Sequence, residues 1–411
     1  MIKANKVRLF SIIIIIILCF SACNTVGKQT VFEVPQLSSA PMSAATNANV
    51  IPTQVPVIKP TKTSATFFSV GDVIMHDALV QSGEDVNGTY NYNEIFARVK
   101  PYIEQSDYSV ISFEGACMET DDNYTGYPLF NAPPAIISAF SYAGFDMVNN
   151  GNNHCLDRGL AGLLETRSII KQKGMQVIGT FNNVTEPRHR IQDLNGIKVG
   201  FLSYTYGCNM NENRLTEEER NKHLCLIDKE RIQNEIEALS PLVDLVVVLM
   251  HWGAEYRLEP NNEQVELADL AFQSGADIIL GSHPHVIESS EIREIDGDTK
   301  YVIYSMGNFL SNQIGGNNPN ARNNDYTQEG VMVSFELEKD LTSDKTRIIS
   351  IKHIPTWLHR VTENNNYKYS IIPIPSLEDD IFNEADDKLE EKLIESYNRT
   401  MEKMQDYPAS P

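Results

Sequence analysis

Short apolar runs alternate with amphipathic stretches along most of the chain from about residue 66 onwards. The apolar runs are rich in β-branched residues and have the length of strands, whereas the stretches between them repeat apolar positions at helical spacing. The clearest helical stretches are 136–142, 160–173 and 262–273, and each is closely followed by a glycine suited to a helix C-cap. This alternation predicts an α/β layered domain whose helices pack their apolar faces into the core.

Several of the predicted strands end at side chains that can bind a metal ion. They run into Asp72, Glu114, the pair Asn153-His154, His251 and the segment His283-Pro284-His285. Ligands of open α/β sheets bind at the carboxyl ends of the strands, so these side chains are expected to meet at one edge. Each alone is explained as well by a turn, a solvated carboxylate or a structural histidine. Their succession along one chain instead indicates a single site.

The mixture of carboxylate, amide and imidazole groups determines which chemistry this site can support. Such a set suits Mn, Fe or Zn, and two divalent ions can share a bridging carboxylate and ionise water near neutral pH. His154 has Asp157 three residues later, and a histidine held by a carboxylate is suited to act as a general acid. On an extended segment, His283 and His285 would point the same way. The sequence thus predicts a two-metal hydrolase or transferase site.

Six short motifs resemble, in order, those of the bacterial CapA family. They are Gly71-Asp72-Val73-Ile74-Met75, Ser112-Phe113-Glu114, Asn152-Asn153-His154 with Asp157, His251-Trp252-Gly253-Ala254-Glu255-Tyr256, Gly281-Ser282-His283-Pro284-His285 and Tyr304-Ser305-Met306-Gly307-Asn308-Phe309. Proteins of that family are linked to poly-γ-glutamate capsule synthesis and have a calcineurin-like metallophosphoesterase fold. The resemblance, which runs from about residue 66 to 312, implies a layered α/β fold: a β-sandwich flanked by helices, in four layers α/β/β/α.

The resemblance also implies a role for each motif residue. It places Asp72 and His285 on one metal ion, Asn153, His251 and His283 on the second, and Glu114 between the two ions. His154 takes the place of the general acid, with Asp157 beside it. The residues expected to line the substrate pocket are Trp252, Glu255, Tyr256 and Asn308.

Two positions depart from the wider metallophosphoesterase pattern. Ile74 stands where the superfamily has a histidine, and His76 lies nearby but out of phase on an extended strand. Glu114 stands where the bridging residue is usually an aspartate. CapA-type proteins share both departures, which leave open how tightly the first metal is held and whether the protein is catalytic.

The N-terminal residues predict export and attachment to a membrane. Basic residues precede an apolar run over 12–20, and Ser21-Ala22-Cys23 follows, which is the pattern of a bacterial signal peptide. Small residues before Cys23 resemble a lipobox, although Phe20 stands where leucine is more usual. The alternative is a plain signal peptide or anchor with an incidental cysteine. The leading interpretation is a lipoprotein, lipidated at Cys23, on the extracytoplasmic face of the cell membrane.

Composition divides the chain into four segments. We predict a lipoprotein signal peptide over 1–22, a disordered Ser/Thr/Pro-rich tether over 23–65, the CapA-like metallophosphoesterase-fold domain over 66–375, and an acidic C-terminal helix and tail over 376–411. A polar insertion, 206–228, interrupts the domain and is expected to be either a substrate-selecting lid or a plain surface loop. It contains Cys208 and Cys225, for which a disulfide and free thiols are both open.

The charge balance narrows the set of partners. The chain has 34 Lys and Arg against 55 Asp and Glu, a net charge of −21, which argues against binding to nucleic acid. The expected partners are an anionic surface polymer or its membrane synthesis complex, together with the membrane itself through the lipid anchor. A charge of this sign repels a polyanion unless metal ions or a local basic groove dominate. A phosphoesterase unrelated to capsule and a non-catalytic scaffold or binding lipoprotein are the alternative functions.

Overall fold

The computed structural model describes residues 60–314 and 326–408. Its first sheet has the strand order β14-β13-β12-β1-β2-β3-β4, and β11 pairs with β1 beside this path. These strands are β1 (Lys62–Ile74), β2 (Tyr108–Glu114), β3 (Met147–Asn149), β4 (Gln176–Ile178), β11 (Asn308–Leu310), β12 (Glu329–Asp340), β13 (Lys345–Glu363) and β14 (Asn366–Pro373). The strands β1 to β4 are parallel, whereas β12, β13 and β14 extend the sheet in antiparallel fashion.

The second sheet has the strand order β5-β6-β7-β8-β10-β9. Its strands are β5 (Arg190–Leu194), β6 (Ile197–Thr205), β7 (Leu245–His251), β8 (Ile278–Ser282), β9 (Ser290–Ile295) and β10 (Asp298–Ile303). The inner strands β6, β7, β8 and β10 are parallel, so their carboxyl ends lie at one edge of the sheet.

The helices connect these strands. They are α1 (Asp77–Ser82), α2 (Asn93–Phe96), α3 (Lys100–Ile103), α4 (Ala135–Ala143), α5 (Gly159–Gln172), α6 (Glu217–His223), α7 (Lys229–Leu239), α8 (Asn262–Gln273), α9 (Ile381–Glu384) and α10 (Asp387–Met401), with 3-10 turns at Asn211–Arg214 and Ser240–Leu242. The three stretches with the clearest helical spacing correspond to α4, α5 and α8. Gly144 ends α4 in the left-handed conformation, and a capping box of Asn261 and Gln264 begins α8.

The two sheets pack face to face, and helices cover their outer faces. Alternation along β1 sends Phe67 into the core between the sheets and Phe68 into the core beneath the helices of the first sheet. A third buried cluster joins β6, β7 and β8 to α7 and α8 on the outside of the second sheet. The predicted four-layer α/β/β/α architecture is confirmed.

The first strand begins earlier than the sequence suggested. Residues 62–65, which the sequence analysis assigned to the tether, pair with β12 from the register Lys62↔Asp340 onwards. The sequence carries no strand signal here because these residues are mostly polar. Of the four, only Ala65 is buried. The predicted signal peptide, Cys23 and most of the tether lie outside the described residues. In the part of the chain that the structure describes, no helix is long and apolar enough to span a membrane.

The C-terminal helix α10 packs on the body of the domain. Leu393 lies in a buried cluster with Trp357 and Ile372 of the first sheet. Arg399, near the end of α10, forms an ion pair with the buried Glu329 of β12. The acidic segment beyond residue 376 therefore forms part of the folded unit, at least as far as residue 408.

Candidate metal centre

Asp72 is fixed at the point where β1 meets β11. It is paired with Asn308 in the strand register, and its backbone N–H donates to the carbonyl oxygen of Gly307 at 3.1 Å. A Cβ atom on Gly71 would lie 2.1 Å from that same oxygen, so only glycine allows this approach. The Gly-Asp pair in the sequence therefore reflects a close backbone contact as well as a ligand.

Glu114 ends β2 and is tied to the segment that carries Asn153 and His154. The side-chain amide of Asn152 donates to the carbonyl oxygen of Phe113 at 2.7 Å, and its oxygen accepts from the backbone N–H of His154 at 3.0 Å. The Asn150 amide donates to the carbonyl oxygens of Phe113 and Gly115. These buried amides hold the end of β2 and the loop after β3 together. Sequence reasoning assigned Asn150 no role, and only the run of asparagines could have suggested one.

The histidines of the second sheet come from the ends of β7 and β8. His251 ends β7, and the chain after β8 turns, with φ of 97° at His283 and 60° at His285. The segment is therefore not extended, since both residues lie in the left-handed region, but His283 and His285 still converge in one group of candidate ligand atoms with Glu114. Such a conformation is costly for a residue with a side chain, and strained residues tend to cluster at functional sites.

Two sets of ligand atoms converge around Glu114. One set is Glu114, His283 and His285, and the other is Asp72, Glu114 and His251; the ligand atoms of each set lie within 4.8 Å of one another. Glu114 belongs to both sets, as expected of a bridging carboxylate. In these sets Asp72 groups with His251, and His283 groups with His285. The residues that the resemblance places on one ion are also close: Nδ1 of His285 lies 4.0 Å from Oδ2 of Asp72, and the rings of His251 and His283 are 4.8 Å apart between centroids. Asn153 lies beside the second set, with its Oδ1 atom 2.9 Å from Nε2 of His251.

Three buried polar atoms in these two sets have no hydrogen-bond partner among the described residues. They are Oδ1 of Asp72, Oε2 of Glu114 and Nδ1 of His283. A buried polar atom without a partner is costly, and a cation bound at each set would satisfy these three atoms. The donor set, two carboxylates with imidazoles, fits a borderline divalent metal such as Mn, Fe or Zn.

Burial shifts the pKa values at this centre in the direction that keeps every group neutral. It raises the pKa of Asp72 to about 7, although hydrogen bonds from His283 and Ser282 oppose the rise. Burial, together with the charge of Asp72, raises the pKa of Glu114 well above its usual range. Burial lowers the pKa of His283 to about 3 and those of His251 and His285 well below the ordinary value. A metal ion would reverse the preference of the carboxylates.

His154 and Asp157 form a buried pair at the edge of the centre. Nδ1 of His154 lies 2.7 Å from Oδ2 of Asp157, an oxygen that also accepts from the backbone N–H of Phe130 at 2.8 Å. This contact orients the imidazole and leaves Nε2 on the side of Glu114, 3.9 Å from Oε1. The rings of His154 and Phe130 meet edge to face, with 4.7 Å between ring centroids. The pair therefore has the geometry of a histidine oriented by a carboxylate.

The insertion after β6 brings two further residues to the centre. Asn209 Nδ2 lies 3.2 Å from Nε2 of His154, and its Oδ1 accepts from the Asn153 amide at 3.4 Å. The ring of Tyr206 lies 4.6 Å from that of His283 between centroids, and about half of this tyrosine is exposed. The sequence analysis predicted only that this insertion is either a lid or a surface loop, because nothing local indicates these long-range contacts.

The residues predicted to line the pocket occupy three different environments. Glu255 and Tyr256 line a cleft of about 600 Å³ beside Glu114, His154 and His285. Asn308 is buried behind the cleft, where its Oδ1 lies 3.2 Å from Nδ1 of His285 and orients that ring. The prediction for Trp252 is corrected: its ring lies in the outer core of the second sheet, and its indole N–H donates to the carbonyl oxygen of Tyr304 at 2.8 Å. Side chains alternate at the end of β7, so His251 and Trp252 point in opposite directions.

The position that departs from the superfamily pattern is filled by an apolar side chain. Ile74 and His76 both line the cleft. Burial lowers the pKa of His76 to about 4, and its Nδ1 accepts from the backbone N–H of Asn312 at 3.3 Å. His76 belongs to neither ligand set, so it does not replace the histidine that is missing at position 74.

The fold and this site define a four-layer α/β protein with a candidate metal centre at the carboxyl edge of its sheets. The family described as "Bacterial capsule synthesis protein PGA_cap" matches residues 66–313. The chain belongs to this family, in agreement with the resemblance found in the sequence.

Two curated relatives carry names that refer to the capsule. The chain is 29% identical to the capsule biosynthesis protein CapA of Bacillus anthracis over 256 residues, which are 60% of each protein. It is 27% identical to the PGA biosynthesis protein CapA of Bacillus subtilis over 284 residues, which are 68% of this chain and 69% of that protein. The match thus spans about three fifths of the first relative.

Solved structures show a weaker likeness. A putative 5'-nucleotidase from Staphylococcus aureus has a TM-score of 0.45 and 15% identity, over 82% of this chain and 58% of that one. A phosphatase from Mycoplasma pneumoniae has a TM-score of 0.41 and 14% identity, over 71% of this chain and 93% of that one.

Proposed function

We propose that this protein is a lipid-anchored component of the apparatus that synthesises, exports or attaches an anionic capsule polymer, and that its cleft is a two-metal hydrolase or transferase centre. Membership of the capsule synthesis family supports the capsule role, and the signal-peptide pattern before Cys23 supports the lipid anchor. The observation that carries the second part is the set of buried, unpartnered ligand atoms on Asp72, Glu114 and His283.

The ligand geometry supports two ions that share Glu114. Asp72 and His251 would hold one ion with Glu114, and His283 and His285 would hold the other, with Asn153 beside His251. Bound metal ions would polarise the reacting bond of the substrate and lower the pKa of a bound water. The surrounding protein contributes orientation: Asn308 positions His285, and Ser282 Oγ lies 3.0 Å from Nδ1 of His251.

His154 is placed to give a proton to the leaving group. Asp157 holds its Nδ1 side, so the transferable proton would sit on Nε2, the nitrogen on the side of Glu114. The Asn209 amide, whose Nδ2 lies 3.2 Å from Nε2, would turn its oxygen towards that N–H. Phe130 packs against the ring at a steep angle, and His154 is largely buried although it lines the cleft. The imidazole would be oriented before substrate binds, which is the condition for efficient general acid catalysis.

We expect the variant His154→Ala to retain its metal ions and to lose activity. Loss of a general acid lowers turnover by about 100-fold or more when the leaving group needs a proton, measured as metal-dependent hydrolysis of an alkyl phosphodiester by the purified protein. His189→Gln, a half-buried histidine away from the cleft, is the matched control and should retain full activity.

The same variant in a capsule-forming host distinguishes the candidate functions. Loss of both turnover and surface polymer supports the proposal, whereas loss of turnover with normal polymer indicates a phosphoesterase unrelated to capsule. Normal polymer together with no turnover by the unaltered protein would instead support the non-catalytic scaffold.

A further inference from the structure

Two cysteine thiols meet directly behind the candidate site. The Sγ atoms of Cys155 and Cys208 are 3.5 Å apart, although the two residues are separated by 53 positions in the sequence. Both are buried, in a small apolar cluster that also contains Leu156, Leu163 and Leu224. Loop closure over such a distance is entropically unfavourable, so the contact depends on the tertiary fold.

The cysteine pairing differs from the one considered for the sequence. Cys225 lies in the core outside the second sheet, and Cys117 lies in the core beneath the helices of the first sheet. Among the described cysteines, therefore, Cys155 and Cys208 are the two that share a cluster.

Each of these cysteines is next to a residue of the site. Cys155 follows His154, and Cys208 precedes Asn209, whose Nδ2 atom lies 3.2 Å from Nε2 of His154. The backbone of Asn209 and Met210 has φ of 51° and 63°, so the insertion makes a tight left-handed turn at this point. A covalent link here would hold that turn against the loop that carries His154 and Asn153.

We infer that Cys155 and Cys208 are an oxidation site and form a disulfide bond that fastens the insertion after β6 to the loop carrying His154. The sulfur atoms need to approach by only about 1.5 Å to reach bonding distance. The inference shares with the proposed function only the predicted export, and it does not depend on the metal centre or on the capsule role. Export, as predicted from the N-terminal sequence, would place the pair in an environment where disulfides persist.

The oxidation requires a disulfide donor, such as oxidised glutathione or a cell-surface thiol–disulfide oxidoreductase. One cysteine loses its proton and attacks the donor, which forms a mixed disulfide and releases one donor thiol. The second cysteine then attacks the mixed disulfide at the sulfur of the first, which forms the Cys155–Cys208 bond and releases the second donor thiol. The two protein thiols lose two electrons and two protons in total, and the donor disulfide is reduced to two thiols.

The test is a peptide map of the full-length protein refolded in a mixture of reduced and oxidised glutathione. Remaining thiols are alkylated under denaturing conditions, and the protein is digested without reduction and analysed by mass spectrometry. We expect a linked peptide pair containing Cys155 and Cys208, with Cys117 and Cys225 alkylated. A link that involves Cys225 or Cys117, or alkylation of all four residues, would overturn the inference. The same peptide mapping can be done, without refolding, on protein purified from a bacterium that exports it. A Cys155–Cys208 link is again expected, and its absence would again overturn the inference.

Thermal unfolding gives an independent readout. Protein refolded with glutathione should melt roughly 5 °C higher than protein refolded with dithiothreitol, because the bond restricts a long loop of the unfolded chain. The double variant C155A/C208A should show no such difference, whereas the matched control C117A/C225A should keep it. An equal shift in both double variants would contradict the assignment.

Discussion

Replacement of Glu114 by glutamine should remove metal from both halves of the centre and abolish metal-dependent turnover. Glu114 is the one residue that belongs to both ligand sets, and its Oε2 is buried without a partner among the described residues. An amide carries no charge and cannot bridge two cations as a carboxylate does. Substitution of a residue that only supports a metal ligand lowers metal affinity or activity by about 10- to 100-fold. For Glu114 itself we therefore expect turnover to fall by about 100-fold or more.

Two matched variants make this result specific. Glu114→Asp keeps the charge but shortens the side chain by one methylene, and it should retain part of the metal and part of the activity. Glu94→Gln removes an exposed carboxylate of α2 and should behave as the unaltered protein. Metal content by mass spectrometry and hydrolysis of bis(p-nitrophenyl) phosphate are measured on the same samples. Full metal content in Glu114→Gln would mean that Glu114 does not bridge.

Metal affinity should rise steeply with pH up to about pH 7. Above that pH, the contribution from deprotonation of Asp72 to this rise should level off. Burial raises the pKa of Asp72 to about 7 and that of Glu114 well above its usual range, so the metal-free carboxylates are protonated in weak acid. Metal binding must release these protons, which gives an increase of about tenfold per pH unit for each proton released. His283, with its pKa lowered to about 3 by burial, is already neutral and releases none in this range.

Competition with a chromogenic chelator between about pH 5 and pH 8 measures this dependence on metal-stripped protein. The variant Asp72→Asn should bind more weakly and should show a slope smaller by about one proton. An affinity that stays constant from pH 5 to pH 7 would show that the carboxylates bind metal without losing protons, and would contradict their assignment as buried ligands.

The sequence indicated that the candidate ligands meet at one edge because several of them stand at the end of an apolar strand. Asp72, Glu114 and His251 lie at or within two residues of the ends of β1, β2 and β7, so the rule for parallel sheets brings them to one edge. The same local pattern predicted the helices α4, α5 and α8 and an α/β layered domain, whereas the four-layer arrangement followed from the family resemblance.

The errors arose where the chain leaves regular structure or where contacts are distant in sequence. Trp252 follows a ligand, but strand alternation turns it into the core, and this could have been inferred from periodicity alone. The left-handed turns at His283 and His285 could not have been inferred from the sequence, because neither residue type requires that conformation. Asn209 and the contact between Cys155 and Cys208 depend on the packing of an insertion against a loop more than 50 residues earlier.

Metal content of the purified full-length protein, beside the double variant Asp72→Ala/His251→Ala, tests the central claim most directly. This variant removes two ligands that share one set, and Asp193→Ala/His189→Ala is a matched control away from the cleft. The structure predicts about two equivalents of Mn, Fe or Zn per chain in the unaltered protein and in the control, and a loss of at least one of them in the variant. Absence of metal from the unaltered protein, even after reconstitution with each of these ions, would contradict the two-metal centre.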